Sequence, residues 1–317
     1  MTPPNAICET PMPAESQTAI ELAKRVSSET LVRGDEPLAK RTTLRIGGPA
    51  DVYVEPATEA DLAAVLKFCA EQSRPFFVLG RGSNLLVRDG GFRGVVICLA
   101  HPRFTRIEVA GGCLRCGAGA RLKDVSVAAK RAGLAGLEFL DGIPGSVGGA
   151  LRMNAGAMGG AMFDLVESVR LMDFAGNIRE RTPGEMLVEY RGCSTLRTQL
   201  ALEAVLKGRT DSLESIAQRM IAFSRRRWSS QPAAPSAGCM FKNPEAIPAG
   251  KLIDELGLKG FRVGGARVSA EHGNFLVNDG AATAHDVLEL IERIKQRAKA
   301  ERGIELQTEV EIIGDES

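Results

Sequence analysis

Apolar residues recur at Leu62, Val65, Leu66 and Cys69 in TEADLAAVLKFCAEQ, the spacing of one helix face, and Thr58 stands where an N-cap belongs. Short β-like runs flank this segment, DVYVEP before it and PFFVLG after it, so it reads as a β-α-β unit. Beyond it, GVVICLA and RIEVAG alternate with loops. VESVRLMDFAGNIRERT predicts a hairpin turning near Gly176 and Asn177. A polar helix from about Ser212 to Trp228 leads into QPAAPSAG, a boundary loop. Near the end, AHDVLELIERIKQRAKAERG places Val287, Leu288, Ile291 and Ile294 on one helix face, with Gly303 as the stop. The closing IELQTEVEII alternates Ile304, Leu306, Val310 and Ile312 with Glu305, Gln307, Glu309 and Glu311. That pattern predicts a strand with one apolar and one acidic face.

Composition narrows the class. With 317 residues, 44% hydrophobic and 25% charged, the chain has material for two or three ordinary domains. A net charge of +1 offers no general field for nucleic acid or an anionic membrane, and neither is expected as a partner. The apolar runs fall far short of the roughly 20 residues of a spanning helix. The opening MTPPNAICETPMPAESQ lacks the basic start and apolar stretch of a secretory signal, and residues 1–20 read as a disordered tail. Seven scattered cysteines, an odd number, point to reduced thiols and a cytoplasmic protein. Cys113 and Cys116 stand in a hairpin-like context without a second pair, and with only three histidines no metal site is expected. The chain is expected to act as a monomer.

Glycine placement carries the first chemistry. Eighteen of the 35 glycines lie between Gly80 and Gly160, about twice an even spread. Two loops stand out, GRGSNLL from Gly80 to Leu86 and GIPGSVGGALRMNAGAMGG from Gly142 to Gly160. Successive backbone N–H groups in such loops form concavities for anions, and Arg81, Ser83, Ser146 and Asn154 add polar side chains. Two such loops favour an extended, diphosphate-bearing cofactor. Neither is a Rossmann fingerprint, since Leu85 and Leu122 stand where the third glycine belongs, and no Walker A motif occurs.

The strings TTLRIGGPADVYVEP, LGRGSNLLVRDGGFRGVVI, GLEFLDGIPGSVGGALRMNAGAMGG, AGCMFKNP, EHGNFLVNDG and LQTEVEIIG together resemble the MurB family, the UDP-N-acetylenolpyruvoylglucosamine reductases. Order and spacing agree from about residue 40 to 314. The resemblance implies an α+β fold: a two-lobed FAD-binding region of the vanillyl-alcohol-oxidase (PCMH) type over residues 40–208, split near 102. A substrate-binding domain over 209–317 follows, its last strand carrying Glu309. It implies non-covalently bound FAD, NADPH as co-substrate, and reduction of UDP-N-acetylglucosamine enolpyruvate to UDP-N-acetylmuramate for peptidoglycan precursor synthesis. The chain is similar to the shorter of the family's two types.

The same resemblance implies site residues. Cofactor contacts fall to Gly80, Arg81, Gly82, Ser83, Asn84, Leu85, Gly145, Ser146, Gly149, Asn154 and Gly156. Arg191, in EYRGCS, matches the residue that stabilises an enolate-like carboxylate, a role suited to guanidinium. Glu309 matches its acid or hydrogen-bonding partner through LQTEV. Cys239 takes the place of the usual serine in AGCMFKNP, as proton donor; an unperturbed thiol, near ~8.5, is a far stronger acid than an alcohol. Tyr190, Arg226, Lys242 and Asn243 are expected to bind substrate, with Arg227 as a second candidate for its diphosphate. His272 and Asn274 match positions lining or supporting the site, His272 in a hydrogen-bonding role. An oxidase of the same fold and a non-catalytic nucleotide-sugar sensor are the rival functions. Flavin covalently held would mark the first, and flavin absent or not reducible by NADPH the second.

Overall fold

The computed structural model describes residues 17–316, so the expected tail lies outside the described residues except for its last four. Those four open helix α1 (Gln17–Ala23), which buries Thr18, Ala19 and Leu22.

The first lobe follows with β1 (Leu31–Pro37), β2 (Pro49–Glu55), α2 (Glu59–Glu71), β3 (Phe76–Leu79), β4 (Leu85–Val87) and β5 (Phe92–Cys98). α2 begins as its sequence predicts: the Thr58 hydroxyl accepts from the Asp61 N–H at 3.0 Å. Leu62, Val65, Leu66, Phe68 and Cys69 form its buried face. The β-α-β unit is present, but β5 lies between its two strands, in the sheet order β1-β2-β5-β3. β2, β5 and β3 run parallel and β1 runs antiparallel to β2.

The second lobe comprises β6 (Ile107–Ala110), β7 (Cys113–Gly117), α3 (Leu122–Arg131), α4 (Val147–Arg152), β8 (Val166–Asp173), β9 (Ile178–Arg181) and β10 (Gln199–Lys207). Its antiparallel sheet has the order β9-β8-β10-β7-β6. The β8–β9 hairpin turns where expected. Gly176 adopts φ 90 there, and Asp173 accepts from the Ala175 and Asn177 N–H groups. Cys113 and Cys116 lie in the β6–β7 hairpin, and among the described residues no cluster suits a metal ion. One apolar core runs through both lobes, from Val54 and Phe68 to Leu114, Val147 and Leu171.

The last third holds α5 (Leu213–Trp228), β11 (Ser236–Cys239), α6 (Ala249–Glu255), β12 (Arg262–Val263), β13 (Ala266–Val268), β14 (Phe275–Asn278), α7 (Ala284–Arg302) and β15 (Glu311–Ile313). A sheet of order β11-β14-β13-β12 forms a separate core with α6 and α7. α7 is capped by Thr283 and stopped by Gly303 at φ 66. Its buried stripe is Val287, Leu290, Ile291, Ile294 and Ala298; Leu288, expected there, is only partly buried because the stripe runs through Leu290.

Three features depart from the expected layout. α5 was assigned to the substrate domain, yet it docks on the second lobe, where Arg219 meets Glu138 at 2.8 Å and Arg227 holds the Gly142 carbonyl. Leu44, Ile46 and Leu86, from the chain's first half, join the core of the last third. The closing strand is short, so Glu309 precedes it, beside an isolated bridge between Phe241 and Thr308. β15 pairs in parallel with β4, which returns the end of the chain to the first glycine loop.

Candidate active site

Two adjoining cavities run between these units. The larger, about 750 Å³, lies between the ends of β3 and β5 and the second lobe. The smaller, about 250 Å³, opens between the two glycine loops and β11. Gly80, Arg81, Ser146 and Gly149 border both, so the loops form the joint between them. Gly82, Ser83, Asn84, Leu85, Gly145 and Gly156 border the smaller one.

The first loop has the open backbone donors that suit a bound anion. Among the described residues, the N–H groups of Arg81, Gly82, Ser83 and Asn84 have no protein acceptor. Gly82 adopts φ 60, and a Cβ there would run into the Arg41 carbonyl. A Cβ on Gly80 would press on the Ser146 hydroxyl at 2.9 Å, so the two loops touch because this residue is glycine. The second loop differs, since Gly145, Val147 and Gly148 give their N–H groups to backbone carbonyls. Free donors on one loop and a long cleft fit an extended group that bears a diphosphate.

Arg191, Cys239 and Glu309 all line the smaller cavity, although they come from three separate segments. Arg191 sits at the tip of a hairpin whose paired residues are Val188 with Cys193 and Glu189 with Gly192. It adopts φ 57, a left-handed conformation that costs a large side chain energy. Its Nη1 donates to the Gly156 carbonyl at 3.2 Å. Its Nε lies 3.4 Å from Glu309 Oε1 but makes no aligned hydrogen bond; this is charge contact that leaves a buried donor open. Burial raises the Glu309 carboxyl above the usual range, and the Arg191 and Lys242 cations oppose that rise. Asn84 Nδ2 donates to the Glu309 carbonyl at 3.1 Å, and the Glu309 N–H donates to the Met240 carbonyl at 2.8 Å.

The Cys239 thiol does not keep its ordinary acidity. Burial first, then the Glu309 charge, pushes it up to about 12, while Arg191 pulls the other way. Its segment is clamped by buried Asn274, whose Oδ1 accepts from the Phe241 N–H and whose Nδ2 donates to the Phe241 carbonyl, both at 2.8 Å. His272 Nδ1 accepts from the Asn274 N–H at 3.1 Å, the hydrogen-bonding role expected of it. Burial, reinforced by Lys259, lowers its pKa and favours the neutral ring.

Other expected site residues fall outside both linings. Asn154 was expected to contact the cofactor, but its side chain is spent on Glu189 and Phe163. Asn243 accepts from the Ala249 N–H at 3.0 Å and caps α6. Tyr190 is 63% exposed beside the Arg191 guanidinium, and Lys242 stands near Glu309 without bordering the cavity. Arg226 points to solvent; Arg227 is the arginine that turns inward, with an unpaired buried Nε. Arg152, Glu311, Gln231 and Phe275 do line the smaller cavity and were not singled out. Arg152 and Glu311 pair at 2.6 Å across it. Their separation in sequence, 159 residues, left no local signal.

Comparison with known proteins accords with this geometry. The family model for an FAD binding domain matches residues 50–181, and that for the UDP-N-acetylenolpyruvoylglucosamine reductase C-terminal domain matches residues 231–313. The reductase of that name from Geobacter sulfurreducens is 46% identical over 304 residues, 93% of this chain and 99% of its own. That from Clostridioides difficile is 44% identical over 299 residues, 94% of this chain and 98% of its own. The crystal structure of the enzyme from Thermus caldophilus superposes with a TM-score of 0.78 at 40% identity, covering 90% of this chain and 99% of that one. The second family model begins after α5, in keeping with that helix packing on the second lobe. The chain belongs to the UDP-N-acetylenolpyruvoylglucosamine reductase family of FAD-binding oxidoreductases.

Proposed function

We propose that the chain reduces the enolpyruvyl ether of UDP-N-acetylglucosamine enolpyruvate with NADPH, giving UDP-N-acetylmuramate for peptidoglycan precursors in the cytoplasm. One observation carries the reading: a guanidinium, a carboxyl of raised pKa and a protonated thiol converge on one cavity beside the glycine loops. FAD, held without a covalent bond at the Gly80–Leu85 and Gly145–Gly156 loops, supplies the two-electron chemistry when bound.

The residues then divide the remaining work. Arg191 binds the enolpyruvyl carboxylate through the donors it leaves open, and its charge stabilises the enolate that develops there. Glu309, whose carboxyl pKa is raised by burial, is the acid or hydrogen-bonding partner of that enolate. Cys239 Sγ–H delivers the proton to the carbon next to the carboxylate. The ether's double bond thus gains a hydride equivalent on one carbon and a proton on the other, and solvent restores the thiol. Lys242, Arg226 and Arg227 are the candidate cations for the diphosphate, and Tyr190 and Asn243 are further candidate substrate contacts.

The test is anaerobic. Enzyme reduced by NADPH is mixed with UDP-N-acetylglucosamine enolpyruvate, and flavin absorbance is followed. Rapid reoxidation is expected; normal reduction by NADPH without reoxidation sinks the proposed substrate.

A further inference from the structure

Asn154 occupies the left-handed region, φ 38, where the chain leaves α4. Its side-chain amide makes a hydrogen bond to protein at each end. Nδ2 donates to the Glu189 carbonyl at 3.2 Å, and Oδ1 accepts from the Phe163 N–H at 3.2 Å. Two residues after Glu189 comes Arg191, itself left-handed, whose Nη1 donates to the Gly156 carbonyl. Residues 154–156 therefore grip the hairpin twice, at Glu189 beside the turn through the asparagine amide and at its tip through a backbone carbonyl. The hairpin's own ladder has two paired positions, extended by the Ser194 N–H on the Leu187 carbonyl at 2.8 Å, a short run to hold a strained tip in water. Glycine would suit the backbone at 154 better than any L residue, so the asparagine contributes through its amide. That amide borders neither cavity.

We infer that Asn154 is a positioning residue for Arg191, stapling the hairpin that aims the guanidinium into the cavity, and not a cofactor ligand. The catalytic consequence rests on the reading of Arg191 given above; the staple itself does not. Asn154→Gly removes the amide and relieves the backbone. Asn154→Asp keeps the acceptor for Phe163 but loses the donor to Glu189.

Both variants are expected to bind FAD as tightly as the wild type and to be reduced by NADPH at the same rate. Reoxidation by UDP-N-acetylglucosamine enolpyruvate should slow by about ten- to hundredfold, the effect of aiming a catalytic group badly. Adding Asn154→Gly to Arg191→Ala should cause no further loss, because both changes remove the same function. Weakened FAD affinity with unchanged reoxidation per bound flavin overturns the inference in favour of a cofactor ligand. Additive losses overturn it in favour of general destabilisation. Hydrogen exchange over residues 187–194 tests the staple without any turnover: it should quicken in Asn154→Gly while α7 stays protected, and unchanged exchange overturns the proposal. Failure of the wild type to reoxidise counts only against the substrate.

Discussion

Cys239 shows how far one side chain's chemistry depends on its surroundings. From sequence its thiol has an ordinary pKa near about 8.5. In the folded chain the value is about 12, because burial disfavours the thiolate and Glu309 adds negative charge. The neutral form suits a proton donor, since the proton is present at every physiological pH. The sign for stability follows from the raised value: above about pH 8.5 the unfolded chain sheds this proton while the folded chain keeps it, so the site's contribution falls as pH rises. Site-resolved alkylation by iodoacetamide should stay slow and climb about tenfold per pH unit through pH 9 without levelling off, and a rate that reaches a plateau just above pH 8.5 would contradict the burial argument. Cys239→Ala should slow flavin reoxidation by about 10²–10⁴-fold, the scale of a lost general acid, with Cys239→Ser retaining much more. Equal rates in the Ala variant and the wild type would exclude the thiol as donor.

At the scale of elements, α2, α5 and α7 were legible because each carries its own signal. Thr58 caps α2 as its sequence neighbourhood predicts, Gly303 stops α7, and the structure adds Ser212 and Thr283 as caps of α5 and α7. Loops were legible as glycine-rich but not as equivalent. The first leaves the N–H groups of Arg81 to Asn84 open among the described residues, while the second gives those of Gly145, Val147 and Gly148, among others, to backbone carbonyls. Gly82→Ala tests that difference. A Cβ would collide with the Arg41 carbonyl at a left-handed φ, so purified protein should lose bound flavin and about 1–3 kcal/mol of stability. Gly111→Ala is the control, also left-handed but with nothing near its Cβ; it should keep flavin with a smaller fall in Tm. Equal flavin content in both variants would refute the cradle. The closing strand is shorter than its alternation predicts, because the alternation extends over residues that are not paired. Leu306 and Val310 bury as the pattern requires, yet ladder partners exist only for Glu311–Ile313.

Across the whole molecule, the site depends on segments that cross between units. Thr43 is one such strap: its N–H donates to the Gly82 carbonyl at 3.0 Å and its hydroxyl donates to the Ser236 carbonyl at 2.7 Å. It thereby ties the first glycine loop to the strand that carries Cys239. Thr43→Val keeps the shape and leaves the Ser236 carbonyl short of a donor, at a cost of about 1–3 kcal/mol. Flavin content should hold while reoxidation slows, read by stopped-flow absorbance. A lowered Tm with wild-type reoxidation would reduce Thr43 to a structural tie. The β15–β4 pairing acts in the same direction, since it brings Glu309 to the Asn84 amide.

By itself the sequence determined what is local: capped helices with one apolar face, a hairpin at Gly176, and two glycine loops that need backbone angles other residues resist. The family string also named Arg191, Cys239 and Glu309, and these meet in one cavity. Only the tertiary structure decided how acidic Cys239 and Glu309 are, that Asn154 and Asn243 are engaged with protein atoms, and that α5 belongs with the second lobe. The reason is physical. Periodicity and turn chemistry act over a few residues, whereas desolvation, ion pairs such as Arg152 with Glu311, and clamps such as Asn274 on Phe241 exist only once distant segments touch.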